Sequence, residues 1–418
     1  MSGSLHGVRV IELASLWGAW SAKLLGDLGA DVVVVEPPGG HFTRSFGPFV
    51  NDEPHPDRSL WWWYYNTSKR SVVLDLSSPR GAEHLRQLVA DADIVIEGEK
   101  PGRLAALGLD HSDLRAGHPE LVWTSVTSHG RRSARSAEPW IDLTLAAVSG
   151  LAWLNGYDDH SLPPMRGRGS QTLQIGGVHA AMATLSALIH RDSTGAGQHV
   201  DVSVSAACNV TTESGTFVWL VAGQTVQRQT GRHAFITPTM EVQGQAADGR
   251  YITSGFLPQS AQDYEALLVW LDELDLRETC PEVFFLELGV ERGGINVSKD
   301  FGDPEVLAIL GAGRTALMHI AANIPALDFF EGAQGRDLQC GIIFSPEEAY
   351  ENRHFRARGF QVRVKHDELA REVDYPGAPF KMAASPWAIS RRPPLVGEHT
   401  EELLGIPRTT DAGGESRS

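Results

Sequence analysis

At 418 residues, with 42% apolar and 21% charged side chains, the chain has ample core for two or three domains, or for one large α/β domain carrying a second lobe. Its 43 glycines and 23 prolines stay near globular usage, which excludes collagen-like and low-complexity chains. A formal charge of −16 argues against duplex nucleic-acid binding and against adhesion to anionic membranes, both of which need a basic footprint.

Cys208, Cys280 and Cys340 stand far apart with no CxxC, so reduced thiols are expected and neither a disulfide framework nor a zinc cluster. Residues Met1–Gly7 show neither a basic nor an apolar targeting region, and the expectation is a cytoplasmic protein without a membrane span. The first 130 residues alternate strand and helix signals. Val8–Leu13 reads as a buried strand, Ala19–Leu28 as a helix closed by Gly29, and Asp31–Glu36 as a β-branched strand. Arg70–Leu76, Ile94–Ile96 and Leu121–Val126 follow as strands, with a helix over Pro79–Ala90. This repetition implies parallel βαβ units, whose ligands bind outside the carboxyl ends of the strands. The loops Ala14–Gly18, Pro37–Gly40, Glu97–Gly102 and Thr127–Gly130 are therefore the candidate site.

Beyond them, helices are expected over Ile141–Ala152 and Gly177–His190, a strand over Val200–Val204, and helix again to about residue 225. Residues 235–253 read as a hairpin turning at Asp248-Gly249, followed by two or three helices to about Ala333. Phe344–Leu404 returns to helix and extended chain, and the last residues form a polar tail.

Nucleotide chemistry is only partly signalled. A dinucleotide site needs G-x-G-x-x-G after the first strand, and Ala14-Ser-Leu-Trp-Gly-Ala-Trp has one glycine. Glu36 stands where a ribose-binding acid would lie, but NAD is not expected on that acid alone. No P-loop or HExxH occurs, and no metal is expected.

The segments together resemble family III coenzyme A transferases, the CaiB/BaiF family, which includes formyl-CoA transferase and α-methylacyl-CoA racemases. The resemblance rests on Leu5–Leu13, Leu28–Gly40, Asn66-Thr-Ser-Lys-Arg-Ser…Leu74-Asp-Leu, Lys100–Leu109, Thr194-Gly-Ala-Gly-Gln-His-Val-Asp-Val-Ser, Tyr375-Pro-Gly-Ala-Pro-Phe-Lys and Leu395-Val-Gly-Glu-His-Thr, in the family's order. It implies an α/β fold: a large Rossmann-like domain built from both chain ends, a smaller inserted α+β domain, and an interlocked dimer. The corresponding boundaries are 1–205 for the first part of the CoA-binding domain, 206–232 for linker helices, 233–335 for the small domain, 336–406 for the return, and 407–418 for a disordered tail. It also implies that acyl-CoA and a carboxylic acid are substrates, that no cofactor is permanently bound, and that the chain pairs as a homodimer or with a homologous subunit. Leu16 and Trp17 would touch the nucleotide, Asn66 and Lys69 its phosphates or ribose, and Gly98, Glu99, His129 and Gly130 the pantetheine. Arg131, Arg132 and Arg135 read as a solvated loop rather than a phosphate clamp, and Trp61–Tyr65 as a core or cleft wall.

The family nucleophile is an aspartate, which forms an acyl anhydride and then carries CoA as a thioester. Counting back from Thr194-Gly, its position holds Leu173, and no acid occurs from His160 to Arg191. The racemase histidine position holds Ile141, before Asp142, and in place of the glycine-rich lid stands Gln229-Thr-Gly-Arg-His. Asp142 and His129 are the remaining catalytic candidates, Asp142 being read first as a helix-capping acid and His179 as a core histidine. Three readings stay open: a subunit whose partner supplies the nucleophile, a transferase with a relocated acid, and a CoA-ester binding or regulatory protein, with racemisation further off.

Overall fold

The computed structural model describes residues 3–255, 257–296 and 302–407. The polar tail expected from 407 thus falls, from 408 on, outside the described residues. The described chain forms two compact units. One contains the residues up to 153, 165–216 and those from 353 onward; the other contains 154–164 and 217–352.

In the first unit six strands form one parallel sheet: β1 (Arg9–Leu13), β2 (Asp31–Glu36), β3 (Lys69–Val73), β4 (Ile94–Glu97), β5 (Val122–Thr127) and β6 (His199–Ser203). Their order is β3-β2-β1-β4-β5-β6, so the connections reverse between β1 and β4 and open a crevice at the carboxyl edge there. Continuous apolar runs such as Val32–Val35 follow from burial on both faces. One face of the sheet presents Val10, Val32, Ile94 and Val122 to helices α1 (Ala19–Asp27) and, after α2 (Leu60–Tyr65), α3 (Pro79–Ala90), α4 (Arg103–Ala106), α5 (His111–Leu114) and α6 (Asp142–Val148), to the long α7 (Gln171–Thr194). The other face packs Ile11, Val33, Val72 and Trp123 against Leu85 and Leu88 of α3.

Helix α7 begins six residues before its expected start and carries Gly176-Gly177 in its interior, where glycine costs about 1 kcal/mol against alanine. Close packing explains both. A Cβ on Gly176 would come within 2.7 Å of a Val204 methyl, and one on Gly177 within 2.7 Å of the Trp20 Cβ.

After β6 come α8 (Val204–Val210) and α9 (Ser214–Ala222), the latter belonging to the second unit from Phe217 on; that unit continues with a hairpin of β7 (Gln227–Gln229) and β8 (Arg232–Phe235), and a three-stranded antiparallel sheet of β9 (Gln243–Gln245), β10 (Tyr251–Ser254) and, later in the chain, β11 (Cys340–Ile342). The turn at Asp248-Gly249 lies where the sequence placed it, with Gly249 at φ +82°, but residues 236–242 are not paired strand. Helices α10 (Ala261–Glu273), α11 (Val283–Glu291), α12 (Pro304–Asn323) and α13 (Ala326–Gln334) close over the sheet around Tyr264, Leu317 and Phe329. The unit is larger than the expected 233–335. Residues 154–164 join it because the Arg228 guanidinium donates to the Leu162 carbonyl at 2.7 Å and His160 bonds the Arg228 carbonyl at 3.0 Å. It runs past 335 because β11 pairs with β10.

α14 (Pro346–Glu351) and α15 (Arg353–Ala357) lead to the antiparallel pair β12 (Gln361–His366) and β13 (Arg371–Pro376), and an extended strap over 387–399 precedes α16 (Thr400–Leu404). The strap runs along edge strand β3: Ser68 N–H donates to Arg391 O at 3.0 Å, His399 N–H to Ser71 O at 2.8 Å, and Gly397 N–H to Ser71 Oγ at 2.9 Å. α7 and α12 are long and apolar enough to cross a bilayer; about half of each apolar window is buried within the fold.

Gly177→Ala should lose about 1–3 kcal/mol to overpacking against Trp20, more than the helix-propensity gain returns. The expected outcome is a lower urea midpoint with an unchanged slope, read by circular dichroism.

Candidate functional site

Four chain segments leaving the carboxyl edge of the sheet enclose a cavity of about 780 Å³: Ala14–Trp17 after β1, Glu36–Phe42 at the end of β2, Leu74–Ser77 after β3, and Gly98-Glu99 after β4. Arg103 of α4 and Trp140 complete its wall. A second cavity of about 410 Å³ shares Trp17, Gly98, Glu99 and Trp140 with the first and adds Thr127 and Ser128 from the end of β5. The Trp17 ring thus borders both. Gly98 is required by the tight crossing of two loops, since a Cβ there would stand 2.6 Å from Ser15 Oγ. Ser15 Oγ in turn accepts the Gly18 N–H at 3.0 Å, fixing the turn into α1.

The loop after β2 is held by Glu36, whose buried carboxylate receives Arg44 on both oxygens (2.6 and 2.8 Å), Ser71 Oγ at 2.6 Å and the His41 N–H at 2.9 Å. Burial opposes its ionisation, but Arg44 and these donors outweigh it and hold the carboxyl below its usual range. With both oxygens occupied from inside the fold, Glu36 has no role toward a ribose. His41 lines the cavity as a neutral ring, because burial brings its pKa down to about 4.

Leu16, Trp17, Gly98 and Glu99 come together as the sequence placed them, in the cavity wall. Asn66 and Lys69 do not. Both are buried away from the two cavities, and the Lys69 ammonium is saturated by Glu12 at 2.7 Å, Ala19 O at 2.9 Å and Asn66 Oδ1 at 2.9 Å. Asn66 spends its amide on the Trp62 carbonyl at 2.9 Å. The cause is strand polarity: Lys69 opens β3, opposite Val32, whereas ligands gather where the strands end. The segment's contribution to the cavity comes five residues later, through Leu74–Ser77, a loop that the sequence reading did not single out. Arg103, Phe42 and Trp140 were likewise missed, although the rule that ligands bind beyond strand ends covers Phe42 and Arg103.

His129 lies beside the second cavity's wall, its Nδ1 2.7 Å from Ser205 Oγ and its ring edge-on to Trp140 at 4.3 Å. Burial, aided by Arg135, lowers its pKa. Gly130, at φ +82°, turns the chain so that the Arg131 N–H reaches Asp201. Arg131 itself is neither a solvated loop residue nor a phosphate clamp, because Glu97 (2.9 Å) and Asp110 (2.6 Å) engage its guanidinium. Around the second cavity, Thr127 Oγ1, Trp140 Nε1 and His129 Nε2 are buried without a hydrogen-bond partner. Such groups carry a desolvation cost that a polar ligand would remove.

Leu173 is 2% exposed in the first turn of α7. Asp142 serves that same helix end: its Oδ1 accepts the Thr172 N–H (2.9 Å) and hydroxyl (2.7 Å), and its Oδ2 receives Arg166 at 2.7 Å. It satisfies a backbone donor at the start of α7 and pairs with Arg166. His179 bonds the Ile175 carbonyl one turn back at 2.9 Å. Among the described residues no cluster of three metal-ligating side chains occurs.

The model of CoA-transferase family III matches residues 5–280 and 305–400. The chain is 28% identical over 95% of its length to the succinyl-CoA:(R)-benzylsuccinate CoA-transferase subunit BbsE of Thauera aromatica, covering 92% of that protein. It is 30% identical to the succinate–glutarate CoA-transferase of Agrobacterium fabrum, over 97% of this chain and 96% of the other. A CAIB/BAIF family protein from Brucella suis superposes with a TM-score of 0.77 at 25% identity, over 97% and 99% of the two chains.

Removing the Lys69 ammonium should leave Glu12 buried and unpaired. Lys69→Ala is expected to cost about 3–5 kcal/mol in urea unfolding, with Glu12→Gln/Lys69→Met recovering most of it.

Proposed function

The chain belongs to CoA-transferase family III, whose members move CoA between acids, and we propose that it does so as the CoA-binding subunit of a heteromer whose nucleophile lies on a homologous partner. The observation that carries this reading is the paired cavity at the sheet's carboxyl edge with unpartnered Thr127 Oγ1 and Trp140 Nε1 in the narrower half. The adenine nucleotide of CoA fits the larger half by size and position, with Arg103, exposed and paired with Glu99 at 2.8 Å, as the cation at its wall. The pantetheine arm passes Trp17 into the smaller half, beside Thr127, Ser128 and Trp140. His129, 2.7 Å from Ser205, packs edge-on against Trp140 of that wall.

The missing nucleophile supports the division of labour. Counted back from Thr194-Gly, the position that the resemblance assigns to the attacking carboxylate holds Leu173, which can form neither an anhydride nor a thioester. Asp142 is committed to structure instead, its Oδ1 holding Thr172 and its Oδ2 pairing with Arg166. The partner would therefore supply the carboxylate: its oxygen attacks the thioester carbonyl, the C–S bond breaks, and the thiolate leaves held in this chain's cleft. Two surfaces support a covering chain. Phe217, Trp219, Leu220 and Val221 of α9 are exposed, with none of that helix buried, and Val178, Met182 and Ile189 form an exposed stripe at helical spacing on α7. BbsE, one of the similar proteins, is itself named as a subunit.

Arg103→Ala should weaken CoA binding by about 1.5–3 kcal/mol, about ten- to a hundredfold in Kd by calorimetry. Incubated alone with an acyl-CoA, the chain should yield no adduct to hydroxylamine or borohydride trapping and mass spectrometry. Co-expressed with a homologous aspartate-bearing chain, it should co-purify, and CoA transfer should need both. A trapped adduct on the chain alone, at Asp142 or elsewhere, would replace this reading with a relocated nucleophile.

A further inference from the structure

The strap and β12 enclose a third concavity, of about 400 Å³, whose wall includes Arg363, Lys365, Arg391, Arg392 and His399. It shares no residue with the two cavities assigned to CoA. Its two acidic wall residues are already engaged. Glu398 takes Arg392 on both oxygens (2.7 and 2.9 Å) and the Leu395 N–H at 2.9 Å, and Asp367 pairs with Lys365. Arg391 is exposed and has no carboxylate partner among the described residues.

The arrangement of donors beside Arg391 points to a missing acceptor. His399 Nδ1 accepts the Ser71 N–H at 3.2 Å, a bond that requires the lone pair on that nitrogen. In a neutral imidazole the proton then resides on Nε2, and burial favours the neutral ring. That Nε2–H faces Arg391 Nη1 at 3.3 Å. A guanidinium offers donors only, so two donors meet with no acceptor between them among the described residues. An oxygen anion seated between them would take both hydrogens and offset the Arg391 charge.

We propose that this concavity binds one small oxyanion, a phosphate or a carboxylate group, bridged between the Arg391 guanidinium and His399 Nε2–H, with Arg363 and Lys365 at its rim. Because Arg391 O and His399 N–H both bond β3, the bound anion fastens the strap to the edge of the sheet. Binding to the folded state alone then raises the melting temperature.

The test is calorimetry and thermal melting of the full chain with excess CoA at constant ionic strength, using inorganic phosphate, acetate or chloride as probe. One saturable site for phosphate or acetate, with chloride ineffective, is expected; whichever binds more tightly identifies the group. Arg391→Gln, at an exposed position, should weaken it about tenfold or more and abolish the melting shift. A spectrum of the 15N-labelled histidines in the unmodified chain should show the His399 Nε2–H moving on titration. No saturable binding, equal affinity in Arg391→Gln, an equal effect of chloride, loss of the site when CoA is added, or an unmoved His399 signal would each overturn the proposal.

Discussion

The buried contact between Glu36 and Arg44 is the constraint on which most of the first unit depends. An ion pair out of water is costly unless every charge is answered, and here it is. Glu36 collects Arg44, Ser71 and the His41 amide, while Arg44 also reaches Asp57 at 3.0 Å and Pro394 O at 3.0 Å and lies 3.8 Å over the Trp62 ring. One guanidinium thus joins the end of β2, the loop that walls the larger cavity, the aromatic helix α2 and the strap from the far end of the chain. The cavity has a defined shape because the loop that bounds it cannot move without stripping a buried charge of its partners.

Much of the fold was legible because the dominant signals are local. Asp31–Glu36 can hardly be anything but an interior strand, and Gly249 marks its turn by itself. Three of the four strand-end loops singled out in the sequence contribute to the larger cavity, and Thr127 and Ser128 of the fourth line the smaller one. What could not be read was the partner of each polar residue. Lys69 in an Asn-x-x-Lys motif has the composition of a phosphate contact, but its neighbour Glu12 is 57 residues away in sequence. Arg131 finds Glu97, and Arg44 finds Pro394 across 350 residues. A buried charge pair and a ligand-binding charge have the same residue types; only the third dimension separates them.

The same distinction bears on the reaction. Leu173 and Asp142 sit at one end of α7, and the fold treats that end as structure: an apolar residue packed inward and a carboxylate spent on the Thr172 amide. The cavities lie instead at the strand ends, walled by backbone turns and by Trp17 and Trp140. Under the proposed division of labour, such a chain would keep the CoA site while its partner supplies the attacking carboxylate.

The strap has a further meaning for how the chain is made. Synthesis runs from the N-terminus, and domains generally form as units while it proceeds. The six strands are complete by residue 203, but Arg44, Ser68 and Ser71 must wait for residues 390–399, the very end of the described chain, before their hydrogen bonds close. During that interval residues 217–352 of the inserted unit are made, while the edge of β3 stands open with its strand groups unpaired. The nascent sheet is therefore exposed longest at the edge most able to pair with a neighbour's, and it is shielded only once the strap has followed the whole inserted unit out of the ribosome.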